Sequence, residues 1–390
     1  MMTPMVVHPK LRAQLEGLDP AVRAKLDRAG FDESRFLALA ATLTEGDAAT
    51  RRRERNSVKG EVYAPRPGEV TPLPASGTAE HDRLRKIGAA ALANGELAFC
   101  TMAGGMATRM GGVVKGLVEV LPGHSFLEMR LHENRTASLR AGRPVPLWLM
   151  TSEATHEPLV DALAKLNAPG HVVCFRQGLS LRLTPEGDLF TTEDGPSTYA
   201  TGHGDLVDAL RRAEQNGVKV LADFVARGGK YVWITNLDNL GASIDEAVLG
   251  HFLETKADVQ CEVVPKAGDK GGIPVHAEGK LQVLEEFRFP PTFDPSTVPV
   301  FNTNTFLVRA EPLATAPLGW TWFEVEKKVD GALAVQFERL IQEISAYLRT
   351  AFLEVPRSGP ESRFLPVKDM EELARRKAEI EVVAKARGML

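Results

Sequence analysis

The chain has 390 residues, 44% of them hydrophobic and 25% charged, with a formal charge of −4. That balance excludes wholesale disorder and leaves no basic excess for broad nucleic-acid binding. At roughly 150 residues per domain the length predicts two or three lobes. Three cysteines, Cys100, Cys174 and Cys261, stand alone in hydrophobic runs. They predict neither a disulfide framework nor a zinc site, but buried thiols in a reducing compartment.

The N-terminal stretch reaches Lys10 and Arg12 before any long apolar run, so no secretory leader is expected. No run of about 20 apolar residues follows, and the chain reads as cytoplasmic with no membrane partner. Residues 1–92 read as a helical region, with Leu11, Leu15 and Leu18, then Leu37, Leu39 and Leu43, at helical spacing. The Arg51–Arg55 run reads as a solvated helix face. Tyr63–Pro74, with four prolines, reads as an extended connector closing that region.

From Glu96 the texture changes. Residues 93–320 read as a catalytic domain. Leu97–Met102, Val145–Met150, Val172–Phe175, Tyr231–Ile234 and Val259–Val264 are short apolar runs with the character of buried strands. Leu127–Ala141, Glu157–Leu166, Gly204–Gln215 and Ser243–Lys256 between them read as helices. Such alternation predicts an α/β fold with a mostly parallel, doubly wound sheet. Ile273–Glu286 and Val300–Val308 predict an antiparallel part beside that sheet. Residues 321–390 read as a small helical lobe. It has a helix at Leu333–Phe352, then a loop containing Ser362-Arg-Phe-Leu-Pro-Val-Lys368, then a charged C-terminal helix.

The strongest chemical signal follows the first of these strands: Thr101-Met-Ala-Gly-Gly-Met-Ala-Thr-Arg-Met-Gly-Gly112, leading to Lys115. Glycines let backbone approach a phosphate, and successive N–H groups form an anion nest that Arg109 and Lys115 reinforce. The spacing fits neither a P-loop nor a dinucleotide fingerprint, which weakens kinase and dehydrogenase readings. Further on, Asn236-Leu-Asp238 closes a buried strand. Alternation turns Asn236 and Asp238 to one crevice, and Asp238 is a hard oxygen ligand suited to Mg²⁺.

Gly104-Gly105-x-Ala107-Thr108-Arg109-Met110-Gly111, with Lys115, resembles the nucleotide signature of the eukaryotic-type UDP-sugar pyrophosphorylases. The likeness continues in order through Met150-Thr-Ser152, Phe175-Arg-Gln-Gly178, Gly202-His-Gly-Asp205, Asn236-Leu-Asp-Asn-Leu-Gly241, Lys270-Gly-Gly272, Leu284-Glu-Glu286, Phe301-Asn-Thr-Asn304 and Ser362–Lys368. Most segments resemble the UDP-glucose branch, and the glycine loop is closer to the N-acetylglucosamine branch. The resemblance implies a Rossmann-like, glycosyltransferase-A-type nucleotidyltransferase. UTP and a sugar 1-phosphate, glucose 1-phosphate first, would be its partners and Mg²⁺ its cofactor. The sugar phosphate is then itself the nucleophile on the α-phosphorus, so no covalent enzyme intermediate is expected.

The roles implied are these. Lys115, Lys368 and Arg109 serve the reacting phosphates, and Gly104, Gly105, Thr108, Gln177 and Gly204 the nucleotide. His203, Asn236, Glu285, Asn302, Asn304 and Lys270 serve the sugar, and Asp238 the metal. Two departures from the family pattern stand out. Ala107 replaces a usual glycine, and Gly359-Pro-Glu-Ser362 interrupts the approach to Lys368. The family's C-terminal β-helix has no counterpart after Lys368, so oligomeric state is not implied. N-acetylglucosamine 1-phosphate or several sugars remain alternatives for the substrate, and a non-catalytic nucleotide-sugar-binding homologue for the function. A glycosyltransferase would bring a second carboxylate to the metal, and only Asp238 is present in that motif.

Overall fold

The computed structural model describes residues 9–107 and 111–390. Thr108 and Arg109, both expected to serve the nucleotide, lie outside the described residues, as does the first part of the segment read for a leader.

Eight strands form the central sheet: β1 (Val70–Pro72), β2 (Leu97–Met102), β3 (Leu147–Thr151), β4 (Val172–Arg176), β5 (Tyr231–Asn236), β6 (Val259–Pro265), β7 (Val300–Arg309) and β8 (Thr350–Glu354). Their order is β1-β8-β6-β7-β5-β2-β3-β4. β7 is antiparallel to both neighbours, β5 and β6, and every other pairing is parallel. β2 and β3 are buried at every residue, which is why, Thr101 and Thr151 apart, they read as apolar runs rather than as alternating ones. The mixed, mostly parallel sheet is the α/β architecture expected.

Helix starts follow from local chemistry. Helix α1 spans Pro9–Glu16, α2 Pro20–Arg28, α3 Glu33–Thr42, α4 Ala48–Asn56, α5 Ala79–Ala93 and α6 Phe126–Ala141. Ser125 and Glu128 close a capping box at the start of α6, and Gly142 ends it in the left-handed conformation. Asp19, Asp32, Asp47 and Thr78 cap α2, α3, α4 and α5. No helix among the described residues is long and apolar enough to cross a membrane.

Several expectations are corrected. Val300–Val308 lies inside the main sheet, not beside it. The connector Tyr63–Pro74 contributes β1, an edge strand parallel to β8, and Val62–Tyr63 pairs with Ile273–Ala277. Leu333–Phe352 is not a helix. Ala332–Glu338 forms a hairpin with Phe323–Val329, one helical turn spans Ile344–Tyr347, and β8 follows. Its turn is Asp330-Gly331, both at positive φ, an Asp-Gly hairpin signal that outweighs the apolar spacing. Gly204–Gln215 is helical only over Leu206–Arg212, because Asn216-Gly217 turns Glu214–Gln215 back on Val218–Lys219. The Arg51–Arg55 run is not a solvated face. Arg51 and Arg55 meet the buried carboxylate of Glu324 and Arg52 meets Glu326, two residues on one face of the neighbouring hairpin.

The N-terminal helices have their own apolar cluster. Leu11, Leu15, Leu26, Phe36 and Leu37 pack on Leu179, Leu181, Leu183, Val335 and Phe337. They thus sit against the segments that follow β4 and precede β8. Cys100 and Cys261 are buried and Cys174 is half-buried, and none is bonded to another. Burial pushes the Cys174 thiol up to about 12.

Candidate active site

From β2 the chain passes to β3 and β4 on one side, and β5 then lies on the other side of β2. At such a switch point the carboxyl ends of parallel strands open a crevice. Here that crevice is a cleft of ≈ 280 Å³. Met102 to Gly105 enter it from the end of β2, Met150 from β3, Gln177 from the end of β4, and Asn236 to Asp238 from the end of β5. Lys115, Gly116, Phe126 and His203 complete the wall.

The two arms of the glycine loop pair antiparallel, Met106–Ala107 with Val113–Val114. Ala107 is not among the positive-φ residues, so alanine costs nothing there. Gly104 is needed for closeness: a Cβ on it would sit 3.2 Å from the Gln177 amide nitrogen and 3.3 Å from the Ser152 main-chain nitrogen. Lys115 reaches across the cleft and forms an ion pair with Asp238. Among the described residues no cluster of three or more His, Cys, Asp or Glu side chains is arranged around a common point. Asp238 is the only carboxylate among the described residues that line the cleft. That fits Mg²⁺, which keeps water and takes most of its remaining oxygens from substrate phosphates.

His203 is set by its neighbours. Its Nδ1 accepts from the Ile341 main-chain N–H at 3.0 Å, so the proton of the neutral ring lies on Nε2. Burial pushes the imidazole down to about 4, which keeps it neutral around pH 7. His203 thus offers the cleft an uncharged N–H donor. Gly204 does not offer its N–H, which donates to the Arg339 carbonyl at 3.0 Å.

The remaining expected residues divide. The Asn304 amide donates weakly to the Asn236 side-chain oxygen at 3.4 Å and so borders the cleft. The β6–β7 ladder shifts register between Cys261 and Val263, and Asn304 opposite takes φ of 60°, so Asn302 and Asn304 do not share one face as residues two apart on a regular strand would. Asn302 is buried, and its side-chain oxygen has no partner among the described residues. Glu285 does not line the cleft. It accepts from the Gln342 amide, and burial raises its pKa while that amide and the Gly272 N–H oppose the rise. Lys270 is exposed in the loop between β6 and the Ile273–Ala277 strand. Lys368 is also exposed. It immediately precedes Asp369, the cap of the C-terminal helix Met370–Ala386, and its main-chain N–H donates to Glu372.

The interruption at Gly359–Ser362 closes on itself. The Ser362 hydroxyl donates to the Arg357 carbonyl, and the Arg363 N–H donates to the Pro356 carbonyl at 2.8 Å. The excursion is thereby pinched off. Arg363 then lies fully buried against Glu262 at 2.6 and 2.9 Å. Asn239, next to Asp238, donates to the Arg363 carbonyl and accepts from the Leu365 N–H.

The sequence profile of the UTP–glucose-1-phosphate uridylyltransferase family matches residues 56–386. The chain belongs to this family. A Solanum tuberosum protein of that name is 31% identical over 298 residues, and one from Hordeum vulgare is 29% identical over 296 residues. Each match covers 71% of this chain and about three-fifths of the relative, 60% and 61% respectively. The solved UDP-glucose phosphorylase of Trypanosoma brucei superposes with a TM-score of 0.70 at 21% identity, covering 91% of this chain and 77% of that one. At that identity the likeness shows a shared fold.

Sequence reasoning about this uridylyltransferase-family chain missed the segment Arg339–Gln342, which holds His203, Gly204 and Glu285 through the contacts above. It also missed Arg130. This fully buried arginine on α6 donates to the carbonyls of Asn239 and Ala242, each at 3.0 Å, and so clamps the turn carrying Asp238. No local motif marks either one.

Proposed function

We propose that the protein is a UTP–sugar-1-phosphate uridylyltransferase making UDP-glucose and pyrophosphate from UTP and glucose 1-phosphate. One observation carries this reading. The cleft at the switch point gathers, from segments far apart in sequence, Gly104 and Gly105 of the glycine loop, a lysine, a carboxylate, an amide and a neutral histidine. Membership of the uridylyltransferase family supports the same chemistry.

A phosphate oxygen of the sugar phosphate attacks the α-phosphorus of UTP, and pyrophosphate leaves in line with it. Such a transfer needs positioning and neutralisation of charge more than covalent help. The N–H groups at Gly104 and Gly105, with Thr108, cradle the nucleotide phosphates. Lys115 and Arg109 neutralise them. Gln177 donates to and accepts from the uracil edge, as a carboxamide can, and Gly204 acts on the base side through the main chain of the His203 turn rather than through its own N–H. Asp238 would hold Mg²⁺, which when bound draws charge from the reacting phosphates. His203 donates its Nε2 proton to a sugar hydroxyl, with Asn236 and Asn304 beside it. Glu285, Asn302 and Lys270 form the outer sugar side, and Lys368 approaches the phosphates from the C-terminal segment.

The test is pyrophosphate release from UTP and Mg²⁺ with glucose 1-phosphate, with N-acetylglucosamine 1-phosphate run in parallel. Release with glucose 1-phosphate is the expected result. Release only with the N-acetyl sugar overturns the choice of sugar, and release with neither overturns the activity.

A further inference from the structure

Arg339 follows the Ala332–Glu338 strand and is nearly fully buried. Its guanidinium forks between the carboxylates of Asp205 and Asp208 and lies over the Trp322 indole at 4.6 Å. Asp205 in turn accepts from the main-chain N–H of Gly178, the residue after Gln177. One side chain therefore reaches, through one carboxylate, the turn that presents Gln177 to the cleft.

The main chain of the same residue holds the other end. The Arg339 N–H donates to the Thr201 carbonyl at 2.9 Å, and the Gly204 N–H donates to the Arg339 carbonyl at 3.0 Å. Packing is tight enough that a Cβ on Gly204 would meet the Leu340 nitrogen at 2.5 Å. Two residues beyond Arg339, the Ile341 N–H fixes the His203 ring. His203 is thus pinned from both flanks and at its own Nδ1.

We propose that Arg339 is a positioning residue that sets Gln177 and His203 as one unit, so that the base end and the sugar end of the cleft are tuned together. It touches neither substrate. This rests on the reading of the cleft given under Proposed function. Here the fork bridges Asp205, beside the His203 loop, and Asp208, in the first turn of the Leu206–Arg212 helix.

The test uses the full chain. Arg339→Lys keeps the charge but not the fork. Arg339→Met paired with Asp205→Asn removes both buried charges and leaves a side-chain oxygen for the Gly178 N–H. Asp208→Asn loosens one half-exposed arm and guards against loss of the fold in the other two. Each variant is first checked for a cooperative thermal transition. His203 is then titrated by NMR in the absence of substrate, and kcat and KM are measured for both substrates.

The expected result is a His203 titration midpoint moved up from about 4 toward the free value by a unit or more. KM for UTP and for sugar phosphate should rise together, each by about 10-fold, as expected for misplaced binding groups. Asp208→Asn should show a smaller shift of the same kind. Folded variants with an unmoved His203 titration, or a change in KM for one substrate alone, overturn the proposal. If the wild-type protein binds no uridine nucleotide in calorimetry, the reading of the cleft fails, and the His203 titration still decides whether Arg339 positions that ring.

Discussion

Lys115 and Asp238, 123 residues apart in the chain, form an ion pair across the cleft, each about one-fifth exposed. The lysine comes from the connection between β2 and β3, and the aspartate from the end of β5. The pair therefore joins the two strands that flank the switch point. It also stores two charges the proposed reaction needs, one to meet phosphate and one to meet a cation. Neither is deeply buried, so the pair itself contributes little to stability, on the order of 1 kcal/mol or less.

The first prediction follows from that pair. Asp238→Asn should lower turnover by about 10²–10³-fold, the usual cost of removing one group that stabilises developing charge. Stability should change by no more than about 1 kcal/mol. Pyrophosphate release measured across a Mg²⁺ titration, with thermal melting alongside, checks both. Near-normal turnover at ordinary Mg²⁺ removes Asp238 from the metal role.

A second prediction concerns pH. His203 is held neutral, with its folded pKa lowered to about 4 by burial, whereas an unfolded histidine titrates near 6.5. Between those values the unfolded chain binds the extra proton, so stability rises with pH there. The contribution is complete above about pH 6.5 and is lost as pH falls toward about 4, at up to about 1.4 kcal/mol per unit. His203→Gln should flatten the stability profile in that window. Urea denaturation at half-unit pH steps measures it, and an unchanged slope sinks the assignment.

Much of the site was legible because its markers are local. Gly104 and Gly105 follow a strand that is buried throughout and nearly all apolar, and Asn236 and Asp238 close another, so strand-end placement alone brings them to one crevice. His203 was legible as a motif residue, but its tautomer was not, because the partner that sets it is 138 residues away. Arg339 was hidden twice: it falls within Leu333–Phe352, which reads as a helix, and its carboxylate partner Asp205 lies 134 residues away. The bulge at Asn304 was equally unreadable, since it arises from the register between β6 and β7 and not from either strand alone.

The third prediction tests the tie between the C-terminal segment and the sheet. Arg363 is fully buried, and Glu262 is 1% exposed at the side chain. Asp245 joins them. Burial would raise its pKa, but Arg363 and Arg387 together hold it down to about 2. Removing one partner of such a group strands a charge, at a cost of about 3–5 kcal/mol. Arg363→Met should therefore destabilise by that amount, and pairing it with Glu262→Leu should recover much of the loss. A double-mutant cycle in urea decides it. Equal losses in the single and double variants would show that the ion pair is not what holds the segment.

The last prediction concerns Lys368. Its side chain is exposed at the start of the C-terminal helix and does not line the cleft. The residues just before it are anchored: Asn239 holds the main chain at Arg363 and Leu365. Asn239 is also the neighbour of Asp238, so this anchor ties the Lys368 segment to the turn carrying Asp238. The proposed role of Lys368 requires its flexible four-carbon stem to reach the phosphates once substrates fill the cleft. Lys368→Ala should then leave folding and UTP affinity nearly unchanged and lower kcat by about 10²-fold or more. Calorimetric UTP binding set against steady-state kinetics separates the two effects. A rise in KM with kcat preserved would make Lys368 a ground-state binding residue only. No change in either would place it on the surface for solubility, and the charge facing the leaving pyrophosphate would then have to come from Lys115 and Arg109 alone.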